Sequence, residues 1–142
     1  MLQGPPGLYR AWMAFEELDG ATDLLARFRS SAPPQDDELR SVMAVVRRMH
    51  DAGIEHVDLN LGNLLVRDGN AGEREAFVID LDRGRVRESG VDEVRRAVAL
   101  RRLERSFRKN FPDAEPPLWC YRLYAEDDPV RVERLIATRR AD

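Results

Sequence analysis

Two neighbouring stretches decide the fold and the chemistry: HDAGIEHVDLNLGNLLV at residues 50–66 and AFVIDLD at residues 76–82. The first stretch places Asp58 and Asn63 five residues apart in a polar loop, and the second places Asp80 directly after a short apolar run. Phosphoryl transfer from ATP needs such a set, because a carboxylate orients and deprotonates the attacking hydroxyl while other oxygens hold Mg²⁺ on the phosphates. The pattern therefore predicts a phosphoryl-transfer site.

A long amphipathic helix is predicted immediately before the polar loop. It begins near Asp36, and its apolar residues recur at intervals of three and four between positions 39 and 49, so one face is expected to be buried. Gly53 follows as the left-handed residue that ends the helix. His50, in the last turn, is expected to be a helix-end residue with no other role.

The remaining elements flank this helix and loop. Apolar runs at 64–66 and 76–79, separated by turn-forming residues, predict a β-hairpin that ends at Asp80. Further predicted elements are a strand at 8–15, a helix at 21–29 capped by Thr22, a helix from Ser89 or Asp92 to about Asn110, and short helices at 118–124 and 130–136. The sequence thus predicts an α+β fold that is mainly helical.

Composition limits the class of protein. A chain of 142 residues is long enough for one domain with a real core. Its 23 basic and 26 acidic residues nearly balance, so we expect no nucleic-acid partner. The single cysteine, Cys120, excludes an internal disulfide and is expected to be a buried core residue. No apolar run is long enough to cross a bilayer and no signal-peptide pattern follows Met1, so a cytoplasmic location is expected.

The motifs resemble those of a known superfamily. The loop H-V-D-L-x-x-x-N at 56–63 resembles the catalytic loop of protein kinases, with valine in place of the usual arginine, and D-L-D at 80–82 stands where they have D-F-G. The fuller pattern, HDAGIxHxDLNLxNxLV followed by xxIDxDRxR, resembles the lipopolysaccharide core kinases of Gram-negative bacteria, the family of the Kdo kinase and the heptose kinases. The resemblance spans about residues 8–110 and is strongest at 50–66 and 78–85.

The resemblance implies one domain, the C-terminal lobe of a protein-kinase-like fold with a small hairpin at the active site. Its parts would be a hinge strand and hinge at 8–20, a catalytic loop at 55–63, the hairpin with the metal-binding aspartate at 64–82, and a helical subdomain at 89–142. The N-terminal lobe of a kinase supplies a glycine-rich loop and a phosphate-gripping lysine. No glycine-rich loop precedes the hinge, and no lysine does either, because Lys109 is the only lysine of the chain. The N-terminal lobe is therefore expected to be absent.

Each site residue has an expected role. Asp58 is the candidate catalytic base, since a carboxylate in reach of a sugar hydroxyl orients it and accepts its proton. Asn63 and Asp80 are the candidate ligands of Mg²⁺, the only cofactor expected, with ATP as co-substrate. The resemblance implies that the nucleotide contacts the hinge residues Glu16, Glu17 and Leu18 and the pocket-floor residues Leu65 and Ile79.

Three other polar residues belong to the same motifs. His56 is expected to be structural, bonding to backbone near the metal-binding aspartate, rather than to carry a proton. Asn60 either contacts the site or only forms a turn. Asp82 either binds a second metal ion or pairs with Arg83 or Arg85.

The predicted helix at 91–110 carries seven basic residues between Arg95 and Lys109. One interpretation is that it holds phosphates of an anionic glycolipid or lies peripherally on the anionic face of the inner membrane. The other is a solvated helix face whose charges pair with Glu93 and Glu104. We favour the second, because such charge runs are usually solvated.

The expected function is ATP- and Mg²⁺-dependent phosphorylation of a sugar hydroxyl in the bacterial lipopolysaccharide inner core, with Kdo as the leading acceptor. One alternative is a small-molecule phosphotransferase of the aminoglycoside or choline type, which also uses a D-x-x-x-x-N loop and a later aspartate. Another is a degenerate, non-catalytic lobe that acts as a binding module. Because the glycine-rich loop and its lysine are missing, the chain alone is expected to be inactive. A fragment of a full enzyme is favoured over a natural lone lobe or a lobe completed by another chain.

Overall fold

The computed structural model describes residues 18–69 and 72–139. The predicted strand at 8–15 and the hinge residues Glu16 and Glu17 lie outside these ranges. The described elements are, in chain order, β1 (Thr22–Asp23), α1 (Leu24–Arg29), α2 (Asp36–Asp51), β2 (Ile54–Glu55), a 3-10 turn (Leu61–Asn63), β3 (Leu64–Asp68), β4 (Arg74–Val78), β5 (Arg85–Val86), α3 (Glu93–Asn110), α4 (Trp119–Tyr124) and α5 (Pro129–Arg139). This order confirms an α+β fold that is mainly helical.

The predicted hairpin is confirmed and forms most of a three-stranded antiparallel sheet with β3 at its centre. Leu64 at the start of β3 lies opposite Val78 at the end of β4. This register brings Asn63 beside Ile79, whose N–H donates to the Asn63 carbonyl at 3.0 Å. The hairpin thus places the segment that contains Asp80 next to the end of the polar loop.

Helix α2 follows its sequence pattern. Gln35 and Glu38 form a capping box at its N-terminus, which satisfies backbone N–H groups that have no partner inside the helix. The predicted apolar face is buried. Gly53 ends the helix with a φ of +81°, and a Cβ at this position would collide with the carbonyl oxygen of Arg87. Only glycine therefore fits where the chain turns into the catalytic loop.

Aromatic rings join α1 to the helical subdomain. Phe28 of α1 lies edge-on to Phe107 of α3, with ring centroids 5.2 Å apart. Phe111 and Trp119 also contact Phe28, at centroid distances of 5.8 and 6.0 Å. Edge-to-face pairs contribute about 0.5–1.5 kcal/mol beyond the area they bury. Cys120 lies in the same core, as expected.

The helix predicted at 21–29 starts later than expected. Thr22 and Asp23 pair with Val66 and Leu65 as strand β1. Asp23 rather than Thr22 then caps α1, because its Oδ1 accepts the N–H of Ala26 at 2.9 Å. Pairing with a distant strand has overridden the local helical pattern.

His50 is not merely a helix-end residue, so that prediction is wrong. It is fully buried, and its Nδ1 lies 2.8 Å from the hydroxyl of Tyr124. Arg96 donates to the same hydroxyl at 3.0 Å and to Asp51 at 2.7 Å. The Tyr124 hydroxyl therefore lies between the guanidinium of Arg96 and Nδ1 of His50. We call these four residues (His50, Asp51, Arg96 and Tyr124) the helix-end network.

Burial sets the charge of this network. Removal from water, helped by the positive charge of Arg96, lowers the pKa of His50 to about 4. Burial raises the pKa of Tyr124 to about 12. At neutral pH the imidazole and the phenol are therefore both uncharged, and the network locks α2 to α3 and α4. In residues 18–69 and 72–139, no helix combines the length and apolar character that a membrane span requires.

Candidate active site

His56 joins the catalytic loop to the end of β4. The ring is 1 % exposed, and its Nε2 lies 3.0 Å from the carbonyl oxygen of Ile79. Its Nδ1 accepts the backbone N–H of Asp58 at 3.1 Å. Because a carbonyl can only accept and a backbone N–H can only donate, the proton of the imidazole is on Nε2. His56 thus bonds to backbone next to Asp80, as predicted from the sequence.

Two amide side chains shape the loop around Asp58. Asn60 caps the 3-10 turn by accepting the N–H of Gly62 at 2.8 Å, and its Nδ2 donates to the Asp58 carbonyl at 3.0 Å. Asn63 donates its Nδ2 to the same carbonyl, also at 3.0 Å. The Asp58 backbone is thus held from three directions while its side chain stays exposed. Asn60 therefore forms the turn, the second of its two expected roles, and its contact with a ligand stays a prediction.

The amide of Asn63 is oriented for a ligand. Since its nitrogen is used on the Asp58 carbonyl, its Oδ1 points elsewhere, and this oxygen accepts no hydrogen bond from any residue that the structure describes. An amide oxygen with a free lone pair is a suitable ligand for a hard cation.

Asp80 follows β4 in a left-handed conformation, with a φ of 63°. This region of backbone space costs an L-residue about 1–2 kcal/mol, and Asp is among the few side chains that enter it. The hydrogen bond that a protonated Asp80 can donate to Asp82, together with the negative charge of Asp82, raises the pKa of Asp80. Asp58 acts in the same direction. Asp58 and Asp82 therefore both lie within electrostatic range of Asp80.

These carboxyl groups are not neutralised by basic side chains. Within the described ranges, no Arg, Lys or His forms an ion pair with Asp58, Asp80 or Asp82. The alternative in which Asp82 pairs with Arg83 or Arg85 is thus not observed. Converging acidic oxygens without a cationic partner are what a divalent cation would stabilise.

The donor set fits Mg²⁺ bound together with a nucleotide. No group of three Asp, Glu, His or Cys side chains in the described chain could hold a metal by itself. Asn63 Oδ1 and the Asp80 carboxylate would supply two ligands, with Asp82 beside them. Mg²⁺ commonly takes only one or two protein ligands and completes its shell with water and substrate phosphates.

Three of the five residues predicted to contact the nucleotide, Leu18, Leu65 and Ile79, lie within the described residues. Leu65 is half-buried and lies opposite Phe77 in the sheet, on the face away from the buried Leu64 and Val66. Ile79 is 39 % exposed at the end of β4. Leu18 lies in the turn before β1.

Known proteins share both the sequence pattern and the fold. The model of the lipopolysaccharide kinase (Kdo/WaaP) family matches residues 2–119. The 3-deoxy-D-manno-octulosonic acid (Kdo) kinase of Vibrio cholerae serotype O1 is 33 % identical over 102 residues, which cover 72 % of this chain and 40 % of that protein. The same enzyme of Haemophilus influenzae (strain 86-028NP) is 33 % identical over 101 residues, 71 % of this chain and 40 % of that protein. The chain thus spans about 40 % of the length of these curated relatives.

A solved structure shows the same fold. The structure titled "WaaP in complex with acyl carrier protein" matches with a TM-score of 0.60 and 24 % sequence identity, over 88 % of this chain and 57 % of that one. The likeness confirms the predicted fold class, a kinase-like C-terminal lobe with a small hairpin at the candidate site.

Proposed function

The chain belongs to the lipopolysaccharide kinase (Kdo/WaaP) family, and from this membership we propose that the natural protein carrying it transfers the terminal phosphoryl group of ATP to a sugar hydroxyl of the lipopolysaccharide inner core. Kdo is the leading acceptor, since the two relatives described above are Kdo kinases. One observation carries the proposal. The catalytic loop and the Asp80 segment are joined by hydrogen bonds of Ile79, which donates its N–H to Asn63 and accepts from His56.

Asp58 is proposed as the catalytic base. Its backbone is fixed by His56, Asn60 and Asn63, while its carboxyl group is exposed on the loop. A sugar hydroxyl placed within hydrogen-bond distance of this group would be oriented toward the phosphorus atom and would lose its proton to Asp58 as the new bond forms.

Asn63 and Asp80 are proposed to hold Mg²⁺ on the phosphates from two sides, with Asp82 as a second carboxylate nearby. The ion supplies charge that offsets the phosphate oxygens and the developing charge of the transfer. Asp80 has a left-handed backbone conformation two residues after the end of β4. Leu18, Leu65 and Ile79 are proposed to contact the nucleotide, together with Glu16 and Glu17 outside the described residues.

Phosphoryl transfer to defined acceptors tests the proposal. The natural protein would be incubated with radiolabelled ATP, Mg²⁺ and a Kdo-bearing lipid A precursor, and phosphate in the glycolipid would be counted. Asp58→Asn should reduce transfer by about 10²–10⁴-fold, the range contributed by a general base. Asp113→Asn, an exposed acid in the loop after α3, serves as the control and should retain full transfer.

The acceptor screen also separates the competing enzyme class. Transfer to an aminoglycoside or to choline, with none to the Kdo glycolipid, would contradict the proposal in favour of a small-molecule phosphotransferase. Undiminished transfer by Asp58→Asn would remove Asp58 as the base.

A further inference from the structure

A groove of about 420 Å³ lies between the catalytic loop and helix α3. One wall consists of Asp58, Leu59, Asn60 and Gly62, and Leu25 of α1 adds an apolar edge. The other wall is one face of α3, formed by Arg102, Arg105, Ser106, Lys109 and Asn110. The candidate base and three cationic side chains therefore border the same space.

The three cations of the groove differ from other basic residues of the helix. Arg95 pairs with Asp92, Arg96 with Asp51, and Arg108 with Glu104. The side chains of Arg102, Arg105 and Lys109 form no hydrogen bond or ion pair with any residue in the ranges 18–69 and 72–139. Of the pairings expected for this helix, Glu104 pairs with Arg108, whereas Glu93 pairs with Arg131 of α5.

The basic face is fixed relative to Asp58. The N–H of Leu61 in the catalytic loop donates to Ser106 Oγ of α3 at 3.3 Å. Asn110 donates to the Ser106 carbonyl at 2.8 Å and accepts from Arg29 of α1, also at 2.8 Å. Ser106 lies between the cations on the helix, so these bonds hold them at a set position beside the loop.

We propose that this groove is the acceptor subsite, and that Arg102, Arg105 and Lys109 bind an oxyanion carried by the acceptor sugar. The proposal rests on the proposed function, since it takes Asp58 as the base. Three clustered positive charges repel one another, and an oxyanion would relieve that repulsion. The guanidinium groups present paired N–H donors that match a carboxylate or a phosphate. The substrate class is therefore an acidic sugar, held by its anion while a hydroxyl reaches Asp58.

The single lysine makes a selective test possible. Because Lys109 is the only lysine, an amine-acetylating reagent reacts with this side chain and the N-terminus alone. The chain would be acetylated in the presence of Kdo, of Kdo methyl ester, or of mannose 6-phosphate, and acetylation of Lys109 would be followed by peptide mass spectrometry. Kdo should slow the reaction at Lys109 and the uncharged ester should not. Protection by mannose 6-phosphate but not by Kdo would assign the anion to a phosphate.

Paired variants test the arginines. Arg102→Gln combined with Arg105→Gln should weaken binding of the protecting sugar by about tenfold, as expected for the loss of charge-assisted hydrogen bonds at a partly exposed site. Binding would be measured by NMR shift changes in the chain. Arg95→Gln combined with Arg134→Gln removes the same charge elsewhere and should leave sugar binding unchanged. ATP·Mg²⁺ binding, measured in parallel, should be the same in both pairs.

Three results would overturn this assignment. Equal protection by Kdo and its ester would show that the anion is not recognised. Loss of ATP·Mg²⁺ binding in the Arg102/Arg105 pair would assign the groove to the nucleotide. Reduced binding to anionic phosphatidylglycerol vesicles, with sugar binding intact, would assign it to a membrane surface. Charge-dependent sugar binding, combined with no phosphoryl transfer from ATP to the Kdo glycolipid by the natural protein, would instead support the groove and contradict the kinase proposal.

Discussion

The helix-end network and the candidate active site differ in whether their charged side chains are paired. In the network, Arg96 is 8 % exposed and its donors reach Tyr124, Asp51 and the carbonyl of Val91. At the site, Asp80 and Asp82 face each other without a basic partner among the described residues. In the first region the charge of Arg96 is already paired with Asp51. The second becomes electrostatically balanced only when something positive is added, which is why it is the better place to seek a ligand.

The two regions also shift pKa values for different reasons. Burial lowers the pKa of His50, whereas an adjacent carboxyl group raises the pKa of the exposed Asp80. The lowered pKa of His50 results from packing and should affect folding stability. The raised pKa of Asp80 results from the nearby like charge and should affect cation binding.

The largest effect on stability is expected from Arg96→Ala. The change leaves the Tyr124 hydroxyl and the Val91 carbonyl without their donor, and opening a buried polar pair of this kind costs about 3 kcal/mol. Urea unfolding followed by circular dichroism measures it. Asp82→Asn is the matched control from the site and should not lower the unfolding free energy. Equal destabilisation by both would erase the distinction between the regions.

A smaller loss of stability is expected on acidification. The folded-state pKa of His50, about 4, lies below the ordinary value of 6.5, so the unfolded chain binds this proton more readily. Stability is therefore present above the ordinary value and is lost as the pH falls toward 4, by about 2 kcal/mol between pH 7 and pH 5.

Denaturation at a series of pH values gives this slope. His50→Gln removes the titrating ring, and the slope between pH 7 and pH 5 should flatten in that variant. A slope that persists unchanged would mean that other groups cause it.

The smallest expected effect is confined to the site. Asp82→Asn removes the neighbouring charge, so the pKa of Asp80 should fall toward its ordinary range. Carboxyl carbon shifts in an NMR titration report this directly. The raised pKa means that the folded chain loses stability as the pH rises through it, and the variant should lose that dependence. An unchanged Asp80 titration would show that Asp82 is not its main perturbing group.

The sequence predicts local elements well where a pattern is continuous. The apolar spacing of α2, the left-handed Gly53 and the turn-separated runs of the hairpin each specify their own structure. The hairpin register then places Asn63 beside Ile79, which is why the motif residues could be assigned to one site.

Contacts between distant segments could not be predicted in this way. His50 meets Tyr124 across 74 residues, and Leu61 meets Ser106 across 45. No periodicity encodes such pairings, because they depend on how completed helices pack. The helix-end network and the groove beside Asp58 could therefore be recognised only from the structure. The same holds for the pairing of Thr22 with Val66, because of which α1 begins later than predicted.

Calorimetric titration of the chain with ATP, with and without Mg²⁺, tests the central claim that the unpartnered carboxylates form a metal–nucleotide site. Asp80→Ala is the test variant and Asp113→Asn the control. We predict binding that requires Mg²⁺, is lost in Asp80→Ala and is retained in the control. A folded chain that binds no ATP, or binds it equally well without Mg²⁺ or without Asp80, would contradict the account.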